Sequence, residues 1–241
     1  MQHASDIDLV LVDFDDTLVD TAPRFQRARR ELFELLVSLG FEEDLVRRTH
    51  HDEIDPVMRT RFGLGPHRLE HAFRETYVHL VNSAAQTLDE DIAARCASLG
   101  RTVAGTPPLL EGALDALSRL AHALPTVLYT QAGDTEYQLS CIREAGVLDV
   151  VHHDRVRITD RKTREQFAAT LREFAIEDPS RVWMIGNSMR SDINPALESG
   201  ANAIFVDVDD PWEFDVVEPV HNDFITVRTF SEAVDFLLSR R

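Results

Sequence analysis

Lysine is almost absent from this chain. Of the 25 Lys and Arg residues, 24 are arginines, and Lys162 is the single lysine. A source that favours arginine explains the arginines, but it does not explain where the one lysine is kept. An ammonium group is compact and fits between two close anions, whereas a guanidinium group is a broad planar fork. The position of Lys162 is therefore informative if carboxylates lie near it in the fold.

Cysteine, positive charge and long apolar runs are also scarce. Two cysteines, Cys96 and Cys141, make neither a disulfide framework nor a cysteine metal site. A formal net charge of −17 disfavours binding to nucleic acid or to anionic lipid. No apolar run approaches the roughly 20 residues that cross a bilayer, and the N-terminus turns acidic at once, unlike a secretory signal. We expect a cytoplasmic monomer or homodimer with no nucleic acid or membrane partner.

Six apolar runs bounded by loop residues are candidate buried strands. They are residues 8–14, 126–130, 150–153, 182–186, 203–208 and 224–227. Helical spacing occurs in residues 110–123, 134–145, 163–175, 193–199 and 231–240. Alternating strands and helices predict a Rossmann-like α/β core, in which helices cover both faces of a parallel sheet. Ligands of such sheets bind beyond the carboxyl ends of the strands.

Residues 20–108 interrupt this alternation. They contain no convincing strand, only helical patterns such as residues 23–40 and 66–88. The simplest interpretation is an all-helical cap domain of residues 20–108, inserted into a core domain of residues 1–19 and 109–241.

Three carboxylates crowd the end of the first predicted strand. Asp13, Asp15 and Asp16 directly follow the apolar run LVLV. Like charges this close raise one another's pKa unless a cation or hydrogen bonds intervene, and a divalent metal is the natural compensation. A solvated acidic turn explains two adjacent aspartates, but it explains Asp-x-Asp-x-Thr after a buried strand less well.

Four motifs resemble those of the haloacid dehalogenase (HAD) superfamily. The stretch DFDDTL, residues 13–18, resembles the first motif of that superfamily. The others follow in the expected order: Thr130 ends the second core strand, Lys162 stands before a later helix, and residues 186–192 resemble the acidic motif after the fourth strand. Four motifs in order on the right elements make a strong signal.

The resemblance implies phosphoryl transfer with catalytic roles for Asp13, Asp15, Thr130 and Lys162. Asp13 would attack phosphorus and form an aspartyl phosphate. Asp15 would protonate the leaving oxygen and then accept a proton from the attacking water. Lys162 would balance Asp13 and the incoming phosphoryl oxygens, a crowded position that suits Lys better than Arg.

The resemblance also implies a phosphate site and a metal site. The groups expected to hold the phosphoryl oxygens belong to Phe14, Asp15, Thr130, Gln131 and Lys162. Mg²⁺ is the expected cofactor, because it prefers oxygen ligands and usually keeps several waters.

The expected Mg²⁺ ligands are the Asp13 carboxylate, the Asp15 backbone carbonyl and the acidic motif. In that motif Asn187 stands where many members have Asp, so Asp192 must supply more of the charge. Either Asn187 coordinates through its amide oxygen, or it only orients Asp192 or a metal-bound water.

Two His-His-Asp runs, residues 50–52 and 152–154, invite a zinc interpretation. Adjacent histidines on a strand point to opposite faces, and neither run has an evident third ligand. Surface or core-edge positions are the better interpretation.

The predicted function is a Mg²⁺-dependent phosphatase acting on a small phosphomonoester, with the cap closing over the site. Phosphomutase chemistry shares the aspartyl phosphate and stays an alternative. Dehalogenase chemistry needs neither a metal nor a second acid, so Asp15 argues against it. A catalytically inactive binding protein is the fourth interpretation, and the retention of all five of Asp13, Asp15, Thr130, Lys162 and Asp192 argues against it.

Overall fold

A single parallel sheet forms the core of the molecule. The computed structural model describes residues 7–65, 67–209 and 211–240. Within these ranges the strands are β1 (Leu9–Val12), β2 (Thr126–Gln131), β3 (Val156–Thr159), β4 (Val182–Gly186), β5 (Asn202–Val206) and β6 (Ile225–Val227). All neighbours pair in parallel, in the order β3-β2-β1-β4-β5-β6. The predicted α/β fold class is confirmed.

Helices make up most of the rest of the described chain. They are α1 (Ala22–Ser38), α2 (Glu43–Arg48), α3 (Asp55–Phe62), α4 (Arg68–Ser83), α5 (Glu90–Arg101), α6 (Ala113–Ala123), α7 (Thr135–Glu144), α8 (Arg164–Glu173), α9 (Asn194–Glu198) and α10 (Phe230–Leu238). None of these helices is both long enough and apolar enough to span a membrane.

Helices cover both faces of the sheet. Successive residues of each buried strand point to opposite sides, so each strand has side chains in both layers. Leu9 and Leu11 of β1 join a core cluster with Phe167 of α8 and Ala196 of α9. On β4, Trp183 makes an edge contact with Phe236 of α10, at 5.8 Å between ring centroids. Helix α10 also packs on α6.

The prediction of a strand at residues 150–153 is wrong. Residues 150–152 lie between two short 3₁₀ turns, the second of which begins at His153, and the third strand is β3, a few residues later. Strand β3 is an edge strand, and all four of its residues are only partly buried. An edge strand needs no continuous apolar run, so the sequence VRIT lacks the pattern that marks the buried strands.

The strand order has its switch point beside β1. The chain runs from β1 to β2 and β3 on one side of the sheet and returns through β4 on the other. The order reverses between β1 and β4, and ligands of doubly wound sheets bind at such a switch point, beyond the carboxyl ends of the strands.

The chain divides into two compact units. One consists of Met1–Ala22, Thr106–Gln131 and Gln138–Arg241 and contains the sheet. The other, called the helical unit below, consists of Pro23–Gly105 and Ala132–Tyr137. The described residues between 20 and 108 include no strand, as expected.

Helices α1 and α4 are the long helices predicted in the helical unit. Helix α4 is shorter than the predicted 66–88, and Pro66 lies outside the described residues. Helices α4 and α5 pack so closely that a Cβ on Gly100 would overlap the backbone of Leu69 and Glu70. Only glycine fits at this crossing.

His50 is a buried core residue of the helical unit. Its ring makes edge contacts with Phe33 and Phe73, at 5.7 and 5.3 Å between centroids. Its Nδ1 lies 3.1 Å from Thr76 Oγ1, and that hydroxyl donates its own proton to Ala72 O. The ring nitrogen is therefore the donor in this pair. Burial, with Arg29, His51 and Arg68 nearby, lowers the pKa of His50 well below its usual value.

We expect His50 to make the protein less stable in acid. The unfolded chain binds a proton at His50 near pH 6.5, and the folded protein binds it only at lower pH. The free energy of unfolding attributable to His50 therefore falls as the pH falls below about 6.5, by up to about 1.4 kcal/mol per pH unit until the folded pKa is reached.

Urea denaturation of wild type and His50→Leu between pH 7 and pH 5 measures this effect. Wild type should lose stability relative to the variant as the pH falls. His122→Leu, at an exposed position, should follow wild type. Parallel pH dependence of wild type and His50→Leu would contradict the assignment.

Candidate active site

The single lysine bridges two carboxylates at the switch point. Lys162 Nζ donates to Asp13 Oδ1 and, at 2.6 Å, to Asp192 Oδ1. The side chain of Lys162 is only 2% exposed, and those of Asp13 and Asp192 are 8% and 1% exposed. These three residues are far apart in sequence, so the fold alone brings them together.

Each of the three side chains is placed by the end of a regular element. Asp13 follows β1, and its N–H donates to Ile185 O of β4 at 2.9 Å. Lys162 precedes α8 by two residues, and Thr163 caps that helix through a 3.3 Å bond from Gln166 N–H to its hydroxyl. Asp192 lies in a π-helical turn directly after β4.

Two buried carboxylates share one buried ammonium group. Burial and the Asp192 carboxylate raise the pKa of Asp13, although Lys162 acts in the opposite direction. Burial alone would lower the pKa of Lys162, but Asp13 and Asp192 outweigh it and hold that pKa above its usual value. With both carboxylates ionised, the cluster carries one negative charge more than Lys162 neutralises, which favours a further cation.

Gly186 makes room for the Asp192 side chain. A Cβ on Gly186 would lie 2.7 Å from the Cβ of Asp192 and closer still to its carboxyl group. The carboxyl accepts from Lys162 at Oδ1 and from Ser188 N–H at Oδ2, at 3.0 Å. The glycine of the acidic motif therefore lets Asp192 fold back against the end of β4.

We expect Gly186→Ala to destabilise the protein by about 1–3 kcal/mol, because the methyl group must push Asp192 away from Lys162 and Ser188. Urea denaturation measures the loss. Gly65→Ala is the matched control, since its Cβ would meet only ordinary contacts at 3.5 and 3.7 Å. Equal effects of the two substitutions would contradict this explanation.

Asp15 is held by a second set of contacts. Thr21 Oγ1 donates to its Oδ1 at 2.6 Å, and Gln138 Nε2 donates to its Oδ2 at 2.7 Å. Gln138 Nε2 also donates to Thr130 Oγ1, at 3.1 Å. Asp15 and Thr130, which the sequence placed at two different strand ends, are thus linked through one buried amide.

Asp16 shapes the loop rather than joining the Lys162 cluster. It adopts a left-handed backbone with φ of 54°, which few non-glycine residues adopt and which suits Asp better than most. Its Oδ1 accepts from the N–H groups of Thr21 and Ala22, at 2.8 and 2.7 Å. Burial raises its pKa to about 7, against the effect of these bonds.

Two of the predicted phosphate-binding residues use their side chains for contacts within the protein. The side chain of Phe14 is fully buried, so only its backbone can contact a ligand. The side-chain amide of Gln131, at the end of β2, donates to Asp160 O at 3.1 Å. Its backbone is likewise the part that can serve a phosphate.

A family model for haloacid dehalogenase-like hydrolases matches residues 7–200. The chain belongs to this family. No curated protein sequence is significantly similar to it.

Solved structures of HAD-like hydrolases share the fold over nearly the whole chain. One from Xanthomonas campestris has a TM-score of 0.77 at 23% identity, with 97% of this chain and 96% of that chain covered. A magnesium-bound HAD hydrolase from Bacillus subtilis has a TM-score of 0.62 at 18% identity, with coverages of 96% and 99%.

Both dehalogenases and phosphatases occur among the similar structures. A 2-haloacid dehalogenase from Pseudomonas syringae has a TM-score of 0.57 at 20% identity, with 97% and 99% covered. Other similar structures are described as phosphatases. At these identities the similarity shows the shared fold, so the choice of chemistry rests on the residues of the site.

The residues of this HAD hydrolase fit a magnesium ion. Within the described ranges, no group of three or more His, Cys, Asp or Glu side chains is arranged to hold a metal. Mg²⁺ does not need one, since it usually binds one or two carboxylates, waters and substrate phosphate. Asp13 and Asp192 already converge on one cation, the ammonium of Lys162. The Asn187 amide and the Asp15 carbonyl would complete an all-oxygen set.

Asn187 is oriented by the first motif. Thr17 Oγ1 donates to Asn187 Oδ1 at 3.3 Å, and both side chains are buried. An amide oxygen has two lone pairs, so one of them stays available to a cation or a water.

Three polar residues of this region were not predicted from the sequence: Thr21, Gln138 and Asp215. Ser188 Oγ donates to Asp215 Oδ1 at 2.7 Å, and burial raises the pKa of Asp215 to about 6. Asp215 comes from a loop after β5 that carries no motif. The sequence offered one signal, for Gln138. It stands eight residues after Thr130, in the helix that follows β2, and its side chain contacts Thr130.

Proposed function

We propose that the protein is a Mg²⁺-dependent phosphatase that hydrolyses a small phosphomonoester. The observation that carries the proposal is the separate placement of two carboxylates. Asp13 is held with Lys162 and Asp192, whereas Asp15 is held by Thr21 and Gln138. A nucleophile and a distinct acid–base group are what a two-step phosphate transfer requires.

In the first step, an Asp13 carboxylate oxygen forms a bond to phosphorus while the bond from phosphorus to the leaving oxygen breaks. Asp15 gives its proton to that leaving oxygen. Lys162 holds the Asp13 carboxylate in place for the attack, and its charge offsets the incoming phosphoryl oxygens.

In the second step, a water oxygen attacks the phosphorus of the aspartyl phosphate and the bond to Asp13 breaks. Asp15, now a carboxylate, takes the proton of that water. In the structure both oxygens of Asp15 accept hydrogen bonds, so the carboxyl group is held in place for this exchange.

Mg²⁺, held by Asp13, Asp192, the Asp15 carbonyl and Asn187, would neutralise phosphoryl charge when bound. Thr130 and the backbone of Phe14, Asp15 and Gln131 would orient the phosphoryl oxygens. This chain has Asn187 where many members have Asp, and we propose that Asp192 supplies the charge that Asn187 does not.

A 2-haloacid dehalogenase is the second candidate. It would use Asp13 as the nucleophile on carbon and needs no acid for a halide, which is a stable anion. The partly buried contacts that hold Asp15 have no function in that reaction. They favour an oxygen leaving group that must be protonated.

Hydrolysis of p-nitrophenyl phosphate with Mg²⁺ and with EDTA tests the proposal. We expect phosphate release that depends on Mg²⁺. In parallel, halide release from 2-chloropropionate without metal tests the dehalogenase, and isomer formation from a sugar phosphate tests the phosphomutase. No turnover in any assay, together with no Mg²⁺ binding at millimolar concentration by calorimetry, would favour an inactive binding protein.

A further inference from the structure

Gln138 is a buried polar residue that the motifs do not include. Gln138 is 6% exposed and lies within α7, the helix that follows β2. Its amide nitrogen donates to Asp15 Oδ2 at 2.7 Å and to Thr130 Oγ1 at 3.1 Å. Both acceptors belong to the residues to which catalysis is attributed above.

The two bonds use both N–H groups of the amide. A buried amide without partners costs free energy, so these acceptors fix the orientation of the Gln138 side chain. The structure offers the amide two acceptors that lie 123 and 8 residues away in sequence. Gln138 thereby ties the loop after β1 to the end of β2.

The contacts leave Asp15 one orientation. Thr21 reaches one carboxylate oxygen from six residues along the same loop, and Gln138 reaches the other from a different part of the chain. Without Gln138, the carboxylate can rotate about the bond to Thr21. The proton of Asp15 would then point at the leaving oxygen for only part of the time.

The same amide orients the Thr130 hydroxyl. Its oxygen accepts from Gln138, so its own proton points away from Gln138. That proton is then available to a phosphoryl oxygen at the end of β2.

We propose that Gln138 is a positioning residue that aligns Asp15 for proton transfer and directs the Thr130 hydroxyl toward the phosphoryl group. This role rests on the proposed phosphatase function. Gln138 acts through Asp15 and Thr130 and does not itself exchange a proton with the substrate.

The leaving group separates this role from a purely structural one. When an alkoxide leaves, the bond from phosphorus to oxygen breaks and the oxygen must receive the Asp15 proton. When p-nitrophenolate leaves, the anion is stable and needs little help. Loss of acid alignment therefore slows an alkyl phosphate much more than p-nitrophenyl phosphate.

The experiment compares kcat/KM of Gln138→Leu and wild type for ethyl phosphate and p-nitrophenyl phosphate, with Mg²⁺. We expect about a 100-fold loss for ethyl phosphate and less than about a 10-fold loss for p-nitrophenyl phosphate, with most of the difference in kcat. Asp15→Asn should show the same selectivity, more strongly. Gln86→Leu, at an exposed position, is the matched control and should match wild type on both substrates.

Gln138→Met has nearly the same length but cannot donate these bonds, so it should reproduce the selective loss with little change in packing. Equal losses on the two substrates in both variants would overturn the positioning role while leaving the phosphatase intact. Failure of both variants to fold, judged by circular dichroism, would assign Gln138 a structural role and overturn it too. No phosphate release by wild type would overturn the proposed function and this role with it.

Discussion

Asp13→Asn is expected to abolish phosphatase turnover, with a loss on the order of 10⁴-fold or more, because the amide cannot act as the nucleophile. The loss should appear in kcat rather than KM. Steady-state hydrolysis of p-nitrophenyl phosphate with Mg²⁺ measures it. No phosphoenzyme should be trapped from the variant.

The same substitution should not destabilise the fold. Asp13 and Asp192 compete for the one ammonium of Lys162, and both are buried. Removing one of the two carboxylates leaves Lys162 and Asp192 as a balanced pair, so the free energy of unfolding should stay the same or rise. Urea denaturation of the variant separates lost chemistry from lost structure.

The matched control for Asp13→Asn is Asp115→Asn, at an exposed position of α6. It should leave both turnover and stability unchanged. Turnover of Asp13→Asn within about 10-fold of wild type would rule out Asp13 as the nucleophile, and with it the two-step mechanism.

Lys162→Arg is expected to lower kcat by about 10²–10³-fold, the usual loss when one preorganised charge contact is misplaced. The side chain is 2% exposed and lies between Asp13 Oδ1 and Asp192 Oδ1. Its Nζ also lies 5.4 Å from the centroid of the Tyr129 ring. A guanidinium group is wider and needs space that this enclosed site does not have.

A second substitution separates charge from shape. Lys162→Met keeps the length of the side chain but leaves Asp13 and Asp192 without their cation, so it should destabilise the protein by about 3–5 kcal/mol. Lys162→Arg keeps the charge and should destabilise it less while still losing activity. Arg172→Lys, an exposed position of α8, is the control for exchange of the two cations.

The contacts of Lys162 also explain why the chain keeps a single lysine at this position. The arginine preference of the chain sets the other basic positions, whereas Lys162 is enclosed by two carboxylates and an aromatic ring. If Lys162→Arg kept full activity, its retention would need another explanation.

Much of the fold could be predicted from the sequence because buried parallel strands are continuous apolar runs. Strands β1, β2 and β4 lie inside their predicted ranges to within a residue. Strand β3 could not be found in this way, because it lies at the edge of the sheet, and its half-exposed residues need not be apolar. Helices α2, α3 and α5 were not identified from the sequence. They pack within the helical unit and carry no motif.

The sequence by itself determined which residues are the candidates for the chemistry: the carboxylates after β1, Thr130, Lys162 and the acidic motif with Gly186. Residue type and order along the chain suffice for that, because each follows a recognisable strand or precedes a helix. Only the tertiary structure decided which groups touch. Gln138 meets Asp15 across 123 residues, and Ser188 meets Asp215 across 27. Such contacts depend on how strands and loops pack, which local sequence patterns do not encode.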